Sequence, residues 1–472
     1  MKAIRRHIKR IAGVLLCLFA LLVAYGAYSL TTHGNRWFAS NVNTYVRQQK
    51  QHVEAGSVYD RNGYLLASTG GNGRLYAEDV RVRNAMVHVL GDEKNNVSNG
   101  VESFMSVHLY GFRASFRDRA KAYFAGERLR GDDVVLTVDA DLSAYISSVF
   151  PEGEAGAVVV MNYKTGEVLG ELSFPQFDPM QVTQSTKDDP QKPFFNRAVQ
   201  GLYAPGSTYK IVTAASALNN LTSAQTRSFQ CTGLYQIGEH FITDAGTVLA
   251  ENKVTSHGQL NLKRAFQVSC NNSFAQIALE IGDENLKLTS EAMGFNDNFL
   301  FRDLVVENSS YPLKNRTTKE IAWTGAGQSE LLVTPMHMCM ITSAVANGGV
   351  MMEPMLLKSV AAPDGEVRAS YAPRAYETVM TAETSAVLKD YMRSVVTGGT
   401  GTRADIPGIA VCGKTGSAEK DGQEDTDAWF VGFLDRQDTP YALSIVVENA
   451  GGGGSVAAPV ARQIFEYMLS GR

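Results

Sequence analysis

An uncharged run, "IAGVLLCLFALLVAYGAYSL" (Ile11 to Leu30), follows a basic head that carries Lys2, Arg5, Arg6, Lys9 and Arg10, and it divides the rest of the chain from its first residues. Wound as a helix at about 1.5 Å per residue, the run is long enough to cross a hydrocarbon core of about 30 Å. Positive charge precedes it, and little charge beyond Arg36 follows closely, so the N-terminus is expected in the cytoplasm and everything after Leu30 outside. The expectation is a type II anchor, with a tail over 1–10 and a span over 11–30. A cleaved signal peptide is the alternative, because Val14 to Ala24 reads as an h-region and "AYGAYS" offers small residues for cleavage. Leu16 stands where a lipoprotein site at Cys17 would need a small residue.

At 472 residues the chain exceeds what one hydrophobic core usually spans, so at least two further units are expected. With 44 Lys+Arg against 48 Asp+Glu the net charge is -4, too weak and too mixed a field to imply nucleic acid as a partner. Cys231, Cys270, Cys339 and Cys412 are too few and too far apart for a disulfide scaffold, and their spacings match no zinc pattern. They read as small buried hydrophobes, or as one disulfide at most, with Cys270 and Cys412 the pair that flanks the motifs below. The 8 histidines include no His-x-x-x-His pair, so no metal or other cofactor is expected.

From Thr31 to Phe150 the chain is polar and mixed, with short alternating runs. "GSVYDRNGYLLAS" reads as a hairpin whose turn is Asn62-Gly63, and "DDVVLTVDADLSAYISSVF" as a strand followed by an acid-capped helix. A boundary is expected near there, giving units over 31–150 and 151–472. The second opens with "AGAVVVMNYKTGEVLGELS", two strands around a turn from Asn162 to Gly166. Helical periodicity follows at Ser207–Leu218, Leu262–Ile281, Thr334–Ala346, Ala382–Val396 and Pro459–Leu469. Strands return at "GIAVCGKTGSAE", "AWFVGFLD" and "YALSIVVEN". Strands at both ends with helices between them indicate an α+β fold, a central antiparallel sheet covered by helices. "AGGGGS" (Ala450–Ser455) reads as a flexible connection before the last helix.

In "YAPGSTYKIVTAASAL" Ser207 and Lys210 are three residues apart on a helix whose other inward residues are apolar. That spacing lets the two side chains touch. Burial disfavours an ammonium, and a neutral amine beside a hydroxyl makes the serine a nucleophile. Backbone N–H groups in the first helical turn suit a developing oxyanion. The pattern is weak alone, since "SAEK" (Ser417–Lys420) repeats it, and a surface lysine is the plain alternative. Two other stretches join it in order: Ser269 and Asn271 in "VSCNNSFAQIALEIG", and Lys414-Thr415-Gly416 in "VCGKTGSAE". On a strand, Gly416 lets a ligand lie close, and Lys414 offers a cation for a carboxylate. A second Lys-Thr-Gly at Lys164–Gly166 reads as a hairpin tip. The ordered set is shared by penicillin-binding proteins and class A β-lactamases.

With these motifs, "NRAVQGLYAPGSTYK", "HGQLNLKRAFQVSCNNSFA", "GAGQSELLVTPMHMCMITSAVANGG" and "GKTGSAE…DAWFVGF" resemble the transpeptidase domain of class B penicillin-binding proteins. "GSVYDRNGYLLA" is similar to the start of that family's N-terminal pedestal. Ala55, Ala204 and Ser329 depart from the family's usual arginine, proline and glycine, and none lies in a motif. The resemblance implies a bacterial membrane enzyme that cross-links peptidoglycan. Ser207 would attack the D-Ala-D-Ala carbonyl of a stem peptide and Lys210 take its proton. Ser269 would pass a proton to the departing D-Ala, Lys414 keep Lys210 neutral, and Asn271 hold the peptide amide. Lys414, Thr415 and Gly416 would meet the substrate's terminal carboxylate or that of a β-lactam, and the N–H groups of Ser207 and Ser417 would form the oxyanion hole. A membrane glycosyltransferase is the implied partner.

A β-lactamase shares these motifs. The class A deacylating glutamate precedes a Leu-Asn pair, and here Leu218-Asn219 and Leu260-Asn261 are preceded at that spacing by Ala215 and His257. A D,D-carboxypeptidase differs only in passing the acyl group to water, and remains open as a side activity. A non-enzymatic β-lactam sensor would need a cytoplasmic effector, for which the short tail has no room.

Overall fold

The computed structural model describes residues 2–38, 48, 52–71, 73–248, 251, 253–312, 316–419 and 426–471. Lys420, the end of the competing "SAEK" pattern, lies outside them. The first helix is Lys2–Phe38, and its stretch Ile4–Ser29 is long and apolar enough to cross a membrane. It starts earlier than the uncharged run because lysine and arginine are good helix formers and nothing in the basic head breaks the winding.

Five strands form the central sheet in the order Val411–Ala418, Asp427–Leu434, Tyr441–Val447, Gly156–Asn162, Val168–Phe174, every neighbour antiparallel. Gly156–Asn162, Asp427–Leu434 and Tyr441–Val447 are near-continuous hydrophobic runs because both faces are covered. Ala157, Val159 and Met161 share one apolar cluster with Met338, Ile341 and Val345 of the helix Pro335–Ala346. Val158 and Val160 point the other way, into a cluster with Ile146, Ile464 and Phe465. The period of two along one strand thus builds two cores.

Local chemistry sets the element ends. Asp139 caps the helix Ala140–Val149 by accepting from Leu142 N at 2.9 Å. Thr334 caps Pro335–Ala346, whose first position is the proline that a helix tolerates best there. In the turn from Asn162 to Gly166, Asn162 Oδ1 accepts from Lys164 N at 2.9 Å, and Gly166 adopts φ 78. The second Lys-Thr-Gly is therefore a hairpin tip, with Lys164 exposed.

The expected hairpin near Asn62-Gly63 forms between Val58–Tyr59 and Leu65–Gly70. It belongs to a six-stranded sheet ordered Val367–Ser370, Leu357–Ala361, Asp133–Leu136, Val58–Tyr59, Leu65–Gly70, Gly73–Tyr76. Two of these strands come from far along the chain: Leu357–Ala361 pairs antiparallel with Asp133–Leu136.

Two expected helices differ in a way that shapes the site. The pattern at Ser207–Leu218 resolves into a 3-10 turn, Gly206–Tyr209, running into the α-helix Lys210–Asn220. The pattern at Leu262–Ile281 breaks into Leu262–Gln267 and Asn271–Ile281. Ser269 stands at the break with φ 59, a conformation that a continuous helix forbids.

Candidate active site

Gly206 takes φ 52 after Pro205, and a Cβ there would lie 2.8 Å from Ser417 O, so the turn carrying Ser207 presses against the strand Val411–Ala418. Three residues per turn bring i and i+3 into line. Lys210 Nζ donates to Ser207 Oγ at 2.8 Å, to Asn271 Oδ1 at 2.6 Å, to Ser269 O at 3.0 Å and to Ser269 Oγ at 3.3 Å. The lysine is wholly buried, with the Phe274 ring centre 5.5 Å from its nitrogen. Burial pushes it down to about 8, while Cys270 and Asp244 oppose the shift.

The break at Ser269 turns its hydroxyl toward the sheet, where Lys414 Nζ donates to Ser269 Oγ at 2.9 Å and to Thr415 O at 2.9 Å. Lys414 is also fully buried, and burial followed by the neighbouring Lys210 charge drives it well below the ordinary lysine range. Both amines are thus pushed in the same direction, each chiefly by burial. Ser269 Oγ touches both amines. Asn271, at the start of the helix, also donates from Nδ2 to Thr243 O at 2.9 Å, which orients its amide.

These groups border a cavity of about 540 Å³. Ser207, Ser269, Asn271, Thr415, Gly416 and Ser417 all face it, so the structure brings the three motifs into one site. The Lys414 ammonium, expected to meet a substrate carboxylate, is held by Ser269 Oγ and the Thr415 carbonyl at the edge of this space. Hydroxyls face the space there instead: Thr415 Oγ1 lies 2.6 Å from Thr400 Oγ1, and Ser417 is exposed.

Sequence reasoning missed several lining residues. Thr400, Trp323 and Gln328 line the cavity, and Gln328 Nε2 donates to Ser417 O at 3.3 Å. The tract expected to be a flexible connection is packed wall instead. A Cβ on Gly453 would lie 2.0 Å from Trp429 O and 2.4 Å from Gly416 O, and one on Gly454 would lie 2.4 Å from Thr400 O. The run of glycines was itself the available signal, because only glycine permits that approach.

A second cluster borders the same cavity. Cys231 Sγ donates to Asp244 Oδ2 at 2.8 Å and lies 3.5 Å from His257 Nδ1, Cys270 Sγ donates to Asp244 Oδ2 at 3.4 Å, and His257 Nδ1 is 3.3 Å from the same oxygen. Asp244 Oδ1 accepts from the backbone N–H of Asn271, and from that of Asn272 at 3.3 Å. Among the described residues this is the group of four whose ligand atoms converge, all within 4.8 Å of one another. Spacing along the chain pointed to no metal and did not anticipate it. The disulfide alternative is corrected: Cys270 turns to Asp244, Cys412 packs in the sheet core, and both are free thiols.

The motifs and sheet define a serine acyl-transfer fold, and residues 156–466 match the penicillin binding protein transpeptidase domain. The chain belongs to that family. Among curated relatives it is 26% identical over 493 residues to the peptidoglycan D,D-transpeptidase PbpA of Mycolicibacterium smegmatis, covering 98% of each. It is 33% identical over 357 residues to the stage V sporulation protein D of Bacillus subtilis, covering 72% of this chain and 54% of that one. Among solved structures it superposes on penicillin-binding protein A from M. tuberculosis, an imipenem acyl-enzyme complex, with a TM-score of 0.79, 25% identity and coverage of 89% and 100%.

Proposed function

We propose that the protein is a peptidoglycan D,D-transpeptidase that works through an acyl-enzyme on Ser207 and is acylated by β-lactams. The observation that carries the reading is the 2.8 Å contact between Ser207 Oγ and the wholly buried amine of Lys210. Ser207 Oγ attacks the carbonyl of the penultimate D-Ala while Lys210 takes its proton, and the N–H groups of Ser207 and Ser417 receive the oxyanion. Ser269, in contact with both lysines, returns a proton to the nitrogen of the leaving D-Ala. Lys414 is the second amine on that path, so a proton placed on Lys210 can be shared through Ser269. Asn271 orients the peptide amide, and Thr415 with Gly416 and Ser417 receives the terminal carboxylate. An amine of a neighbouring stem peptide then attacks the ester and frees Ser207. The same geometry admits a β-lactam, whose ring carbonyl replaces the peptide bond and whose leaving nitrogen stays tethered.

The apolar helix supports a retained anchor with the N-terminus cytoplasmic and the catalytic unit outside the membrane. The division into 1–10, 11–30, 31–150 and 151–472 follows, the third segment acting as a pedestal that holds the site away from the bilayer. A membrane glycosyltransferase is the partner that would supply uncross-linked strands. The decisive experiment is intact-mass spectrometry of the detergent-solubilised full chain incubated with a penicillin, beside Ser207→Ala. A lasting single adduct on the wild type and none on the variant is expected. Rapid disappearance of the adduct with continued drug consumption would show a β-lactamase instead.

A further inference from the structure

The helix Phe116–Ala125 has no buried residue, although its sequence "FRDRAKAYFA" carries three large aromatic side chains. Phe116, Tyr123 and Phe124 are 88%, 82% and 85% exposed, whereas outside the first helix no other described phenylalanine, tyrosine or tryptophan is more than 41% exposed. Wound at about 3.6 residues per turn, Phe116, Ala120, Tyr123 and Phe124 fall within one arc of about 100°. Other residues tie the helix to the body. Asp118 Oδ2 accepts from Arg368 Nη2 at 3.0 Å, and Arg119 Nη2 donates to Gly111 O at 3.0 Å. Ser115 and Asp118 form a capping box at its start, and Gly126 ends it in a left-handed turn at φ 68. The helix is firmly built, and its apolar face is turned outward. Single apolar side chains are ordinary on a surface, but a contiguous set marks a place of interaction.

Two ties place this helix near the membrane. Residues Ile4 to Tyr28 of the first helix are exposed apart from the half-buried Gly26, and Ser29 is buried, so its contacts with the helices Val101–Phe104 and Ser106–Leu109 lie at its far end. Val53–Glu54, the first described strand after the anchor, pairs with Leu129–Arg130, the strand that follows the helix Phe116–Ala125. The segment 101–130 is therefore the end of the pedestal nearest the bilayer. Its charge fits that place. From Arg113 to Arg130 six basic residues stand against two acidic ones, in a chain whose net charge is -4.

We propose that the helix Phe116–Ala125 lies in the outer surface of the membrane that the first helix crosses, its aromatic face among the acyl chains and its cations on anionic phospholipid headgroups. The inference rests on the reading of the first helix as a retained anchor and goes beyond it. Phe116 and Phe124 supply apolar surface, and Tyr123 keeps its hydroxyl at headgroup level. Arg117 and Lys121 flank the aromatic arc, where long basic side chains reach phosphate while their stems cover apolar surface. Span and helix together attach the pedestal at two points, which fixes its orientation on the bilayer and so the direction in which the Ser207 cavity opens.

The test uses the full chain with Trp37→Phe and Phe124→Trp, reconstituted in vesicles of phosphatidylglycerol and phosphatidylcholine with brominated acyl chains. The comparison chain carries Trp37→Phe and Leu288→Trp, on the exposed side of the helix Asp283–Ala292 in the catalytic unit. Bromine quenches indole fluorescence only at contact range. The emission added by Phe124→Trp should fall about twofold or more against unbrominated lipid, and that added by Leu288→Trp should not change. Adding Arg117→Gln and Lys121→Gln should weaken the quenching, as should phosphatidylcholine alone. No quenching in Phe124→Trp overturns the proposal and leaves the face to a protein partner. Quenching of equal size in phosphatidylcholine alone overturns the assignment to anionic headgroups. Penicillin acylation of each chain reports its fold and the transpeptidase reading, and retention in the vesicles through an alkaline wash reports the anchor. A retained chain without quenching fails this inference alone, whereas a chain that washes out fails the anchor reading and the inference with it.

Discussion

Lys414 Nζ lies 2.9 Å from Ser269 Oγ, which makes the serine a bridge between the strand that carries Lys414 and the helix that carries Lys210. Removing this lysine leaves Ser269 with one amine. We expect Lys414→Ala to slow acylation by penicillin about 100-fold or more, the usual range for a lost proton-transfer group. Lys164→Ala, in the duplicate Lys-Thr-Gly at the exposed hairpin tip, should leave the rate within twofold. Second-order acylation rates from time-resolved intact mass decide it, and equal losses in both variants would remove the assignment of Lys414.

Acylation should also depend on pH in a defined direction. Only the neutral amine of Lys210 accepts the Ser207 proton, and burial pushes its pKa down to about 8. The rate should rise about tenfold per pH unit below that value and level off above it. Because Lys210 and Lys414 share Ser269, the inflection belongs to the pair. The unfolded chain binds the Lys210 proton up to about 10.5 and the folded chain only to about 8, so this group makes stability rise with pH across that window. A rate flat from pH 6 to 9 would contradict the role of the buried amine.

Gly453 admits no side chain. A methyl group there meets two carbonyl oxygens at 2.0 and 2.4 Å, so Gly453→Ala must push the tract off the strand Val411–Ala418. Acylation should fall at least tenfold, while the rest of the fold, measured by thermal unfolding, loses about 1–3 kcal/mol. Gly451→Ala, with nothing within 4 Å of its added carbon, tests backbone strain at φ 85 without that collision.

Glu171 lies wholly inside the central sheet, where burial pushes its carboxyl up to about 7 and Asn196 Nδ2 donates to it at 2.8 Å. Its folded pKa is above its unfolded value of 4.5, so its contribution is greatest below about 4.5 and is lost as pH rises through about 7. Glu171→Gln keeps an acceptor for Asn196 and carries no charge to bury. It should be more stable than the wild type at pH 8 by up to about 3 kcal/mol, and nearly equal at pH 4.5, in urea unfolding.

The motifs around Ser207, Ser269 and Lys414 were legible because each occupies one short segment whose side-chain spacing carries its chemistry. The central sheet and the hairpin at Asn62-Gly63 were legible for the same reason, hydrophobic strands and the Lys-Thr-Gly and Asn-Gly turns being local signals. The 3-10 turn at Gly206–Tyr209 was hidden because apolar periodicity does not distinguish it from the helix it enters. The break at Ser269 was hidden because Val268, Ser269 and Cys270 leave the apolar pattern nearly continuous. Thr400 and the group of Cys231, Asp244, His257 and Cys270 depend on which strands pair, and periodicity within a strand says nothing about its partner. Packing of the Gly453 tract likewise follows from tertiary contact with Trp429 and Gly416.

The strand Leu357–Ala361 lies between Val367–Ser370 and Asp133–Leu136 in the six-stranded sheet. A fragment ending near residue 150 would leave the backbone of Asp133–Leu136 without a neighbour on one side, a sticky edge in water. A fragment starting there would strand Leu357–Ala361 in the same way. A chimera that exchanges this base between relatives must therefore carry two pieces of chain, because Leu357–Ala361 ties Asp133–Leu136 by backbone hydrogen bonds to the later part of the chain.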